Sequence, residues 1–218
     1  MKSNLFLRVI SVLLFVFGFI FVAAAEVTPT AAKDWAQNNG RLLLDTFREP
    51  DIQKRYADLD VLLLKYVDLE YIGKFVVGKY WRVMTPTQQT EYQKIFKRYA
   101  LALYKTFPLD FANNLSYEVG DSLTDGKFTT VSAKVHVDLG NNTPQDFLLQ
   151  FRLHQSGAEI KLVDIKLAES SLILSYRSKF YQMISEADGE MEWFLEDLAA
   201  LAKSAESRNQ ALSANANM

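Results

Sequence analysis

Residues 76–96 read VVGKYWRVMTPTQQTEYQKIF and contain the start signal of a long helix. Thr85 is a good helix cap, Pro86 suits the first turn, and Gln88 stands three residues after Thr85, which completes a capping box. The sequence therefore predicts a helix that begins at Thr85 and ends near residue 107, because a proline follows there.

The residues of this predicted helix separate into two faces. Apolar residues recur at spacings of three and four, namely Tyr92, Ile95, Phe96, Tyr99 and Leu103. The charged residues point in other directions, namely Glu91, Lys94, Lys97, Arg98 and Lys105. This pattern indicates that the rings face inward and that the charges form a solvated surface.

Helices are also predicted on both sides of this stretch. Upstream, Pro50 separates a helix near 31–48 from one near 51–66, and Asp68 caps a third helix that reaches residue 79 or 80. Gly78 lies where that third helix should end, which favours a left-handed stop at this glycine. Downstream, residues 170–203 return to a helical pattern.

Between the helical blocks, residues 115–167 alternate as strands do. One alternating apolar set is Val131, Ala133, Val135, Val137 and Leu139, and a second is Phe147, Leu149, Phe151 and Leu153. The last strand, EIKLVDIKL, is apolar on both faces. One face of this antiparallel sheet should therefore be buried against the helices, which predicts an α+β fold.

The two ends of the chain differ from this central domain. Residues 1–25 combine a basic start, an apolar run and a small-residue site, a pattern typical of a cleaved secretory signal peptide. Residues 26–203 then form a single domain. Residues 204–218 are small and polar, and we predict that they form a disordered tail.

Composition limits the classes of function. The 218 residues contain no cysteine, so the exported chain has no disulfides. Lys2 and Arg8 are the only charged residues of the signal, so its removal changes the net charge from −2 to −4. A net acidic chain argues against nucleic acid as a partner.

The sequence offers little catalytic chemistry. Two histidines, His136 and His154, stand on the polar side of predicted strands and should not meet, so no metal site is expected. No glycine-rich phosphate loop or serine-centred nucleophile elbow is present. Asp68 suits a helix cap and Asp164 can bond to backbone at a sheet edge, so we expect no catalytic residue and no cofactor.

Two stretches resemble the MlaC family, also called toluene-tolerance proteins. In VDLEYIGKFVVGKYWRVMTPTQQTEYQKIF the matching positions are Asp68, Val77, Gly78, Lys79, Tyr80, Trp81, Arg82, Thr85, Pro86 and Gln89. In VDIKLAESSLILSYRSKF they are Asp164, Ser171, Tyr176, Arg177, Ser178 and Phe180. The family usually places Glu-Gly-Val-Ser where this chain has residues 168–171, and only the serine is kept.

This resemblance implies a fold and a function. The fold would be cystatin-like or nuclear-transport-factor-like, with a curved antiparallel sheet packed against a helical block. The protein would be a monomeric periplasmic carrier whose cargo is a phospholipid, with the acyl tails between sheet and helices and the head group in solvent. Its partners would be an outer-membrane lipoprotein complex and the MCE-domain subunit of an inner-membrane ABC transporter.

We predict an acyl-chain pocket lined by the inward residues of the strands and helices, although the same pattern is typical of plain core. These residues are Ile72, Phe75, Val76, Tyr80, Phe96, Tyr99, Leu103, Val131, Val135, Phe147, Leu149, Phe151, Ile165, Leu172, Tyr176 and Phe180. A basic rim for the head group or a partner would consist of Lys79, Arg82, Arg177 and Lys179. Two alternatives stay open: a periplasmic chaperone with an open apolar groove, and an isomerase-like enzyme with one aspartate in a small apolar pocket.

Overall fold

The computed structural model describes residues 26–105, 114–137 and 145–215. Within these ranges the chain forms six helices: α1 Pro29–Phe47, α2 Ile52–Tyr66, α3 Leu69–Val77, α4 Pro86–Lys105, α5 Leu172–Glu186 and α6 Met191–Asn215. A 3₁₀ turn, Gly78–Arg82, follows α3. The predicted signal peptide at 1–25 lies outside the described residues. No helix of the described ranges is long and apolar enough to cross a bilayer.

Five strands form one antiparallel sheet in chain order: β1 Leu115–Asp125, β2 Phe128–Val137, β3 Gln145–Ser156, β4 Glu159–Leu167 and β5 Ser170–Ser171. The register pairs the inward residues of neighbouring strands, for example Val131 with Phe151 and Phe151 with Ile165. Strand β5 leads directly into α5. The predicted α+β fold, with an antiparallel sheet packed against helices, is confirmed.

Local sequence signals set the helix boundaries as predicted. The backbone N–H of Thr85 donates to Gln88 Oε1 at 2.9 Å, and the backbone N–H of Gln88 donates to Thr85 Oγ1 at 3.2 Å. Asp68 caps α3 by accepting a hydrogen bond from the backbone N–H of Tyr71 at 2.9 Å. These bonds satisfy N–H groups that have no partner within their own helix.

The buried apolar residues form two separate clusters. The helix core joins α3, α4, α5 and α6 and includes Val76, Tyr92, Phe96, Phe180, Phe194 and Leu198. The sheet core joins α1, α2 and the sheet and includes Val27, Ala32, Leu63, Val131, Leu153 and Leu162. Leu69 and Ile72 of α3 pack against both cores. Helix α3 therefore lies at the boundary between the two.

Helix α3 ends at Gly78, as predicted. Gly78 has φ 53° and ψ −116°, a conformation that residues with a Cβ rarely adopt. A Cβ at this position would also lie 2.5 Å from the hydroxyl oxygen of Tyr181 and 2.7 Å from Nη2 of Arg177. The site therefore requires glycine for its backbone conformation and for the space beside it.

We expect Gly78→Val to lower the free energy of unfolding by about 2 kcal/mol, because backbone strain and a steric clash act together. The matched control is Gly126→Val, since Gly126 also has a positive φ of 56° but no atom within 4 Å of an added Cβ. Urea denaturation of both variants measures the difference. Equal losses of unfolding free energy in the two variants would show that the close contact with Arg177 and Tyr181 adds nothing to the cost of Gly78→Val.

The predicted disordered tail is wrong for residues 204–215, which continue α6 to Asn215. The small side chains of Ala202 and Ala205 are buried and allow α6 to pack closely against α4. Arg98 and Glu206 join the two helices by a two-bond ion pair, with N–O distances of 2.9 and 2.7 Å. The small and polar composition of this segment thus serves helix packing.

Candidate functional site

A cavity of about 150 Å³ lies where β4 meets α3, α4 and α5. Its wall is mostly apolar, and its lining residues are Val67, Leu69, Ile72, Val76, Phe96, Tyr99, Ala100, Leu103, Tyr104, Leu162, Val163, Asp164, Ile165, Leu172, Ile173 and Tyr176. Val76 and Phe96 belong to the helix core, whereas Val67 and Leu162 belong to the sheet core. The cavity therefore lies along the boundary between the two cores.

Asp164 attaches the start of α5 to the sheet. This buried aspartate of β4 accepts a hydrogen bond from Ser171 Oγ at 2.7 Å and another from the backbone N–H of Ile173 at 3.1 Å. Ser171 in turn caps α5 by accepting from the backbone N–H of Leu174 at 3.2 Å. The carboxylate thus fixes the first turn of α5, from which Leu172 and Ile173 line the cavity.

Asp68 attaches the start of α3 in a similar way. Its backbone N–H donates to the carbonyl of Leu162 at 2.9 Å, and its Oδ2 lies 2.9 Å from His154 Nε2. Burial opposes ionisation of Asp68, but the hydrogen bonds from the Tyr71 backbone and from His154 hold its pKa below the usual value. Two helix starts beside the cavity are therefore tied to the sheet by aspartates.

His154 is buried, contrary to the prediction that it stands on the polar side of its strand. Only 8% of the residue is exposed, because the rings of Tyr71 and Phe128 lie against it. On the protein surface, His136 Nδ1 lies 2.6 Å from Asp146 Oδ1. Each histidine thus pairs with an aspartate. Among the described residues, no group of three or more histidines and carboxylates could hold a metal ion.

Three of the residues that line the cavity are tyrosines, namely Tyr99, Tyr104 and Tyr176. Burial raises the pKa of Tyr104 and of Tyr176 to about 12, so both phenols stay neutral near pH 7. The hydroxyl of Tyr99 accepts a hydrogen bond from Lys179 Nζ at 2.8 Å. The wall therefore offers neutral hydroxyl groups, and one ammonium group lies beside it.

Eight of the sixteen residues predicted for the pocket line this cavity: Ile72, Val76, Phe96, Tyr99, Leu103, Ile165, Leu172 and Tyr176. Among the other eight, Phe180 is fully buried in the helix core, and Val131 and Val135 are buried residues of strand β2. Leu149 and Phe151 are partly buried on β3, and Phe147 is 40% exposed. The last two, Phe75 and Tyr80, pack against the helix core.

Two of the four predicted rim residues, Arg177 and Lys79, contact the same side chain, Tyr181. Arg177 donates to the carbonyl of Phe75 at 3.2 Å and to the hydroxyl of Tyr181 at 3.1 Å, so it braces the end of α3. Lys79 lies over the rings of Tyr80 and Tyr181, and Arg82 is exposed. Of the four, Lys179 contacts a cavity-lining residue.

Eight lining residues were not predicted: Val67, Leu69, Ala100, Tyr104, Leu162, Val163, Asp164 and Ile173. Four of the cavity-lining residues, Leu162 to Ile165, are consecutive on β4. Because this strand is apolar on both faces, its sequence does not show which face borders the cavity. Tyr104 and Ala100 follow the same helical period as Phe96 and Leu103. This helical period is the sequence signal from which both lining residues could be predicted.

The sequence profile of the family described as MlaC protein matches residues 41–200. No match was found among curated proteins. The fold is similar to the solved structure of the phospholipid-binding protein from Ralstonia solanacearum in complex with a phospholipid. The TM-score is 0.63 and the identity 19%, over 84% of this chain and 99% of that one. Because the profile spans most of the chain and every cavity-lining residue, the protein belongs to the MlaC family.

Proposed function

We propose that this protein is a periplasmic phospholipid carrier that holds acyl chains in the cavity between β4 and the helices and leaves the head group in solvent. The observation that supports this most is the apolar cavity itself, in a chain of the MlaC family. The similar fold from Ralstonia solanacearum is a phospholipid-binding protein and adds further support. In this proposal the lipid is cargo and no cofactor takes part.

The energetics explain why a carrier needs an apolar wall and no nucleophile. Burying acyl chains is worth about 0.8 kcal/mol per methylene, so two chains with about 30 methylenes represent roughly 24 kcal/mol in a bilayer. A carrier can extract such a lipid only if its cavity replaces nearly all of that free energy. Neutral phenols such as Tyr104 and Tyr176 are compatible with this task because they bring no charge into the cavity.

The cavity has to widen to take a phospholipid. Its volume of about 150 Å³ is small, since pockets for drug-sized ligands have about 300–1,000 Å³. We place the widening at the boundary between the helix core and the sheet core, because among the described residues the two cores share Leu69 and Ile72 and are otherwise built from different side chains. Asp164 and Asp68 would act as the fixed points of this movement, since they tie α5 and α3 to the sheet.

Of the residues predicted from sequence, we assign direct lipid contact to the eight that line the cavity. Leu149 and Phe151 stand on the strand beside β4 and would come within reach of acyl chains in the widened state. Phe180, Phe75 and Tyr80 have packing roles in the helix core. The proposed contact set therefore centres on α3, α4, β4 and α5.

An isomerase-like reaction would need a free aspartate in the cavity. The aspartate that lines it, Asp164, already accepts hydrogen bonds from Ser171 and from the backbone of Ile173. This role in fixing α5 favours a binding protein over an enzyme. For the carrier we propose two partners, an outer-membrane lipoprotein complex and the MCE-domain subunit of an inner-membrane ABC transporter.

The proposed head-group contact is Lys179. We expect Lys179→Gln to slow phospholipid transfer between liposomes by about threefold and to reduce its dependence on salt, because a charge at a binding rim acts mainly on association. Lys97→Gln is the matched control, since Lys97 is exposed on the α4 surface and does not line the cavity. Equal transfer rates for both variants and the unchanged protein would exclude Lys179 as a head-group contact.

A further inference from the structure

Two hydroxyl groups of the cavity beside β4 have no hydrogen-bond partner among the described residues. They belong to Tyr104 of α4 and Tyr176 of α5, which both line the cavity. In the described part of the chain, the enclosed side-chain atoms that lack a partner belong to Arg55, Asp60 and Asn209 instead. Both tyrosine hydroxyls therefore keep some surface that a ligand group can reach.

The two hydroxyls lie in the same region of the cavity. Burial raises the pKa of Tyr104 to about 12, and the nearby Tyr176 and Asp164 raise it further in the same direction. The Asp164 carboxylate is already used, because it accepts hydrogen bonds from Ser171 Oγ and from the backbone N–H of Ile173. Each neutral phenol therefore has a proton to donate and no acceptor beside it that takes it.

A series of polar groups leads from the protein surface to these hydroxyls. Lys179 is exposed on α5, and its Nζ donates to the buried hydroxyl of Tyr99 at 2.8 Å. The rings of Tyr99 and Tyr176 meet edge to face with centroids 6.2 Å apart, and Tyr176 lies near Tyr104. A phospholipid has its groups in a matching order, because the ester carbonyls lie between the phosphate and the acyl chains.

We propose that Tyr104 and Tyr176 donate hydrogen bonds to the ester carbonyl oxygens of the bound lipid, so that the cavity selects ester-linked over ether-linked phospholipids. This inference rests on the proposed function, which places a phospholipid in the cavity. An unpaired polar group in apolar surroundings is unfavourable, and an ester carbonyl satisfies such a donor without bringing a charge. An ether-linked lipid has a methylene group in place of each carbonyl and would leave both donors unpaired.

The test is a competition between two phospholipids with the same head group and chains, one a diester and the other a diether. The protein is incubated with liposomes that contain equal amounts of both, and the lipid it carries is extracted and quantified by mass spectrometry. We expect about fivefold more diester than diether, the factor for one neutral hydrogen bond. The double variant Tyr104→Phe with Tyr176→Phe should lose this preference at an unchanged unfolding midpoint, because neither hydroxyl has a partner in the described protein to lose.

Tyr71→Phe is the matched control and should keep the preference for the diester. Burial raises the pKa of Tyr71 as well, but its ring packs against Phe128 and His154 and does not line the cavity. Equal capture of both lipids by the unchanged protein would overturn the role of the two tyrosines and leave the carrier function in place. A preference that persists in the double variant would also overturn it, whereas capture of neither lipid would contradict the proposed function itself.

Discussion

Phe180→Ala is expected to lower the free energy of unfolding by about 4 kcal/mol. The Phe180 side chain is fully buried in the helix core, and its ring contacts the rings of Tyr92, Phe96, Tyr99, Tyr176 and Phe194. Truncation would leave a void among rings that cannot move together to fill it. Chemical denaturation measures the loss directly.

The matched control for this variant is Leu174→Ala on the same helix. Leu174 is 53% exposed, so its truncation should change stability by about 0.5 kcal/mol or less. If Phe180→Ala lowered the free energy of unfolding by less than about 1 kcal/mol, the Phe180 ring would border a flexible space and would belong to the lipid cavity. The size of the loss in unfolding free energy therefore shows whether Phe180 belongs to the core or to the cavity.

We expect Leu172→Asp to reduce the phospholipid that co-purifies with the protein by about tenfold. Leu172 lines the cavity and is 36% exposed, so a carboxylate there would stand beside the proposed acyl chains. An unpaired charge in apolar surroundings is strongly unfavourable, and the short aspartate side chain cannot extend to solvent as lysine can. Lipid extracted from equal amounts of folded protein gives the occupancy.

Leu174→Asp is the control for Leu172→Asp. Both substitutions place an acidic residue in the first turn of α5, where the helix dipole favours it equally, but Leu174 does not line the cavity. Unfolding midpoints of both variants show whether the introduced charge disturbs nearby Asp164. Equal lipid content in the two variants would remove Leu172 from the binding surface.

Much of the fold could be predicted from sequence because its signals are local. The capping box at Thr85 and Gln88 and the positive φ at Gly78 depend on a few neighbouring residues, and the structure has both. The alternation in β2 and β3 likewise predicts which residues share a face, and the structure pairs two of them, Val131 and Phe151. The segment 204–215 was misjudged because alanine and serine suit both a flexible tail and a close helix contact.

The candidate site was predicted less completely, because periodicity shows which direction a residue faces but not what it meets there. Phe96 and Phe180 both face inward, yet Phe96 borders the cavity and Phe180 is enclosed by other rings. Likewise, the sequence shows Asp164 as a possible edge contact, but not that its carboxylate fixes the helix beside the cavity. The position of the void depends on how the two cores meet, which is a long-range property.

The most direct test of the central claim is native mass spectrometry of the protein, expressed with residues 1–25 included and purified without detergent. The account predicts a species whose added mass corresponds to bound phospholipid, confirmed by analysis of the organic extract, and a marked loss of that species in Leu172→Asp but not in Leu174→Asp. Folded protein that carries no phospholipid, before and after incubation with liposomes, would contradict the account.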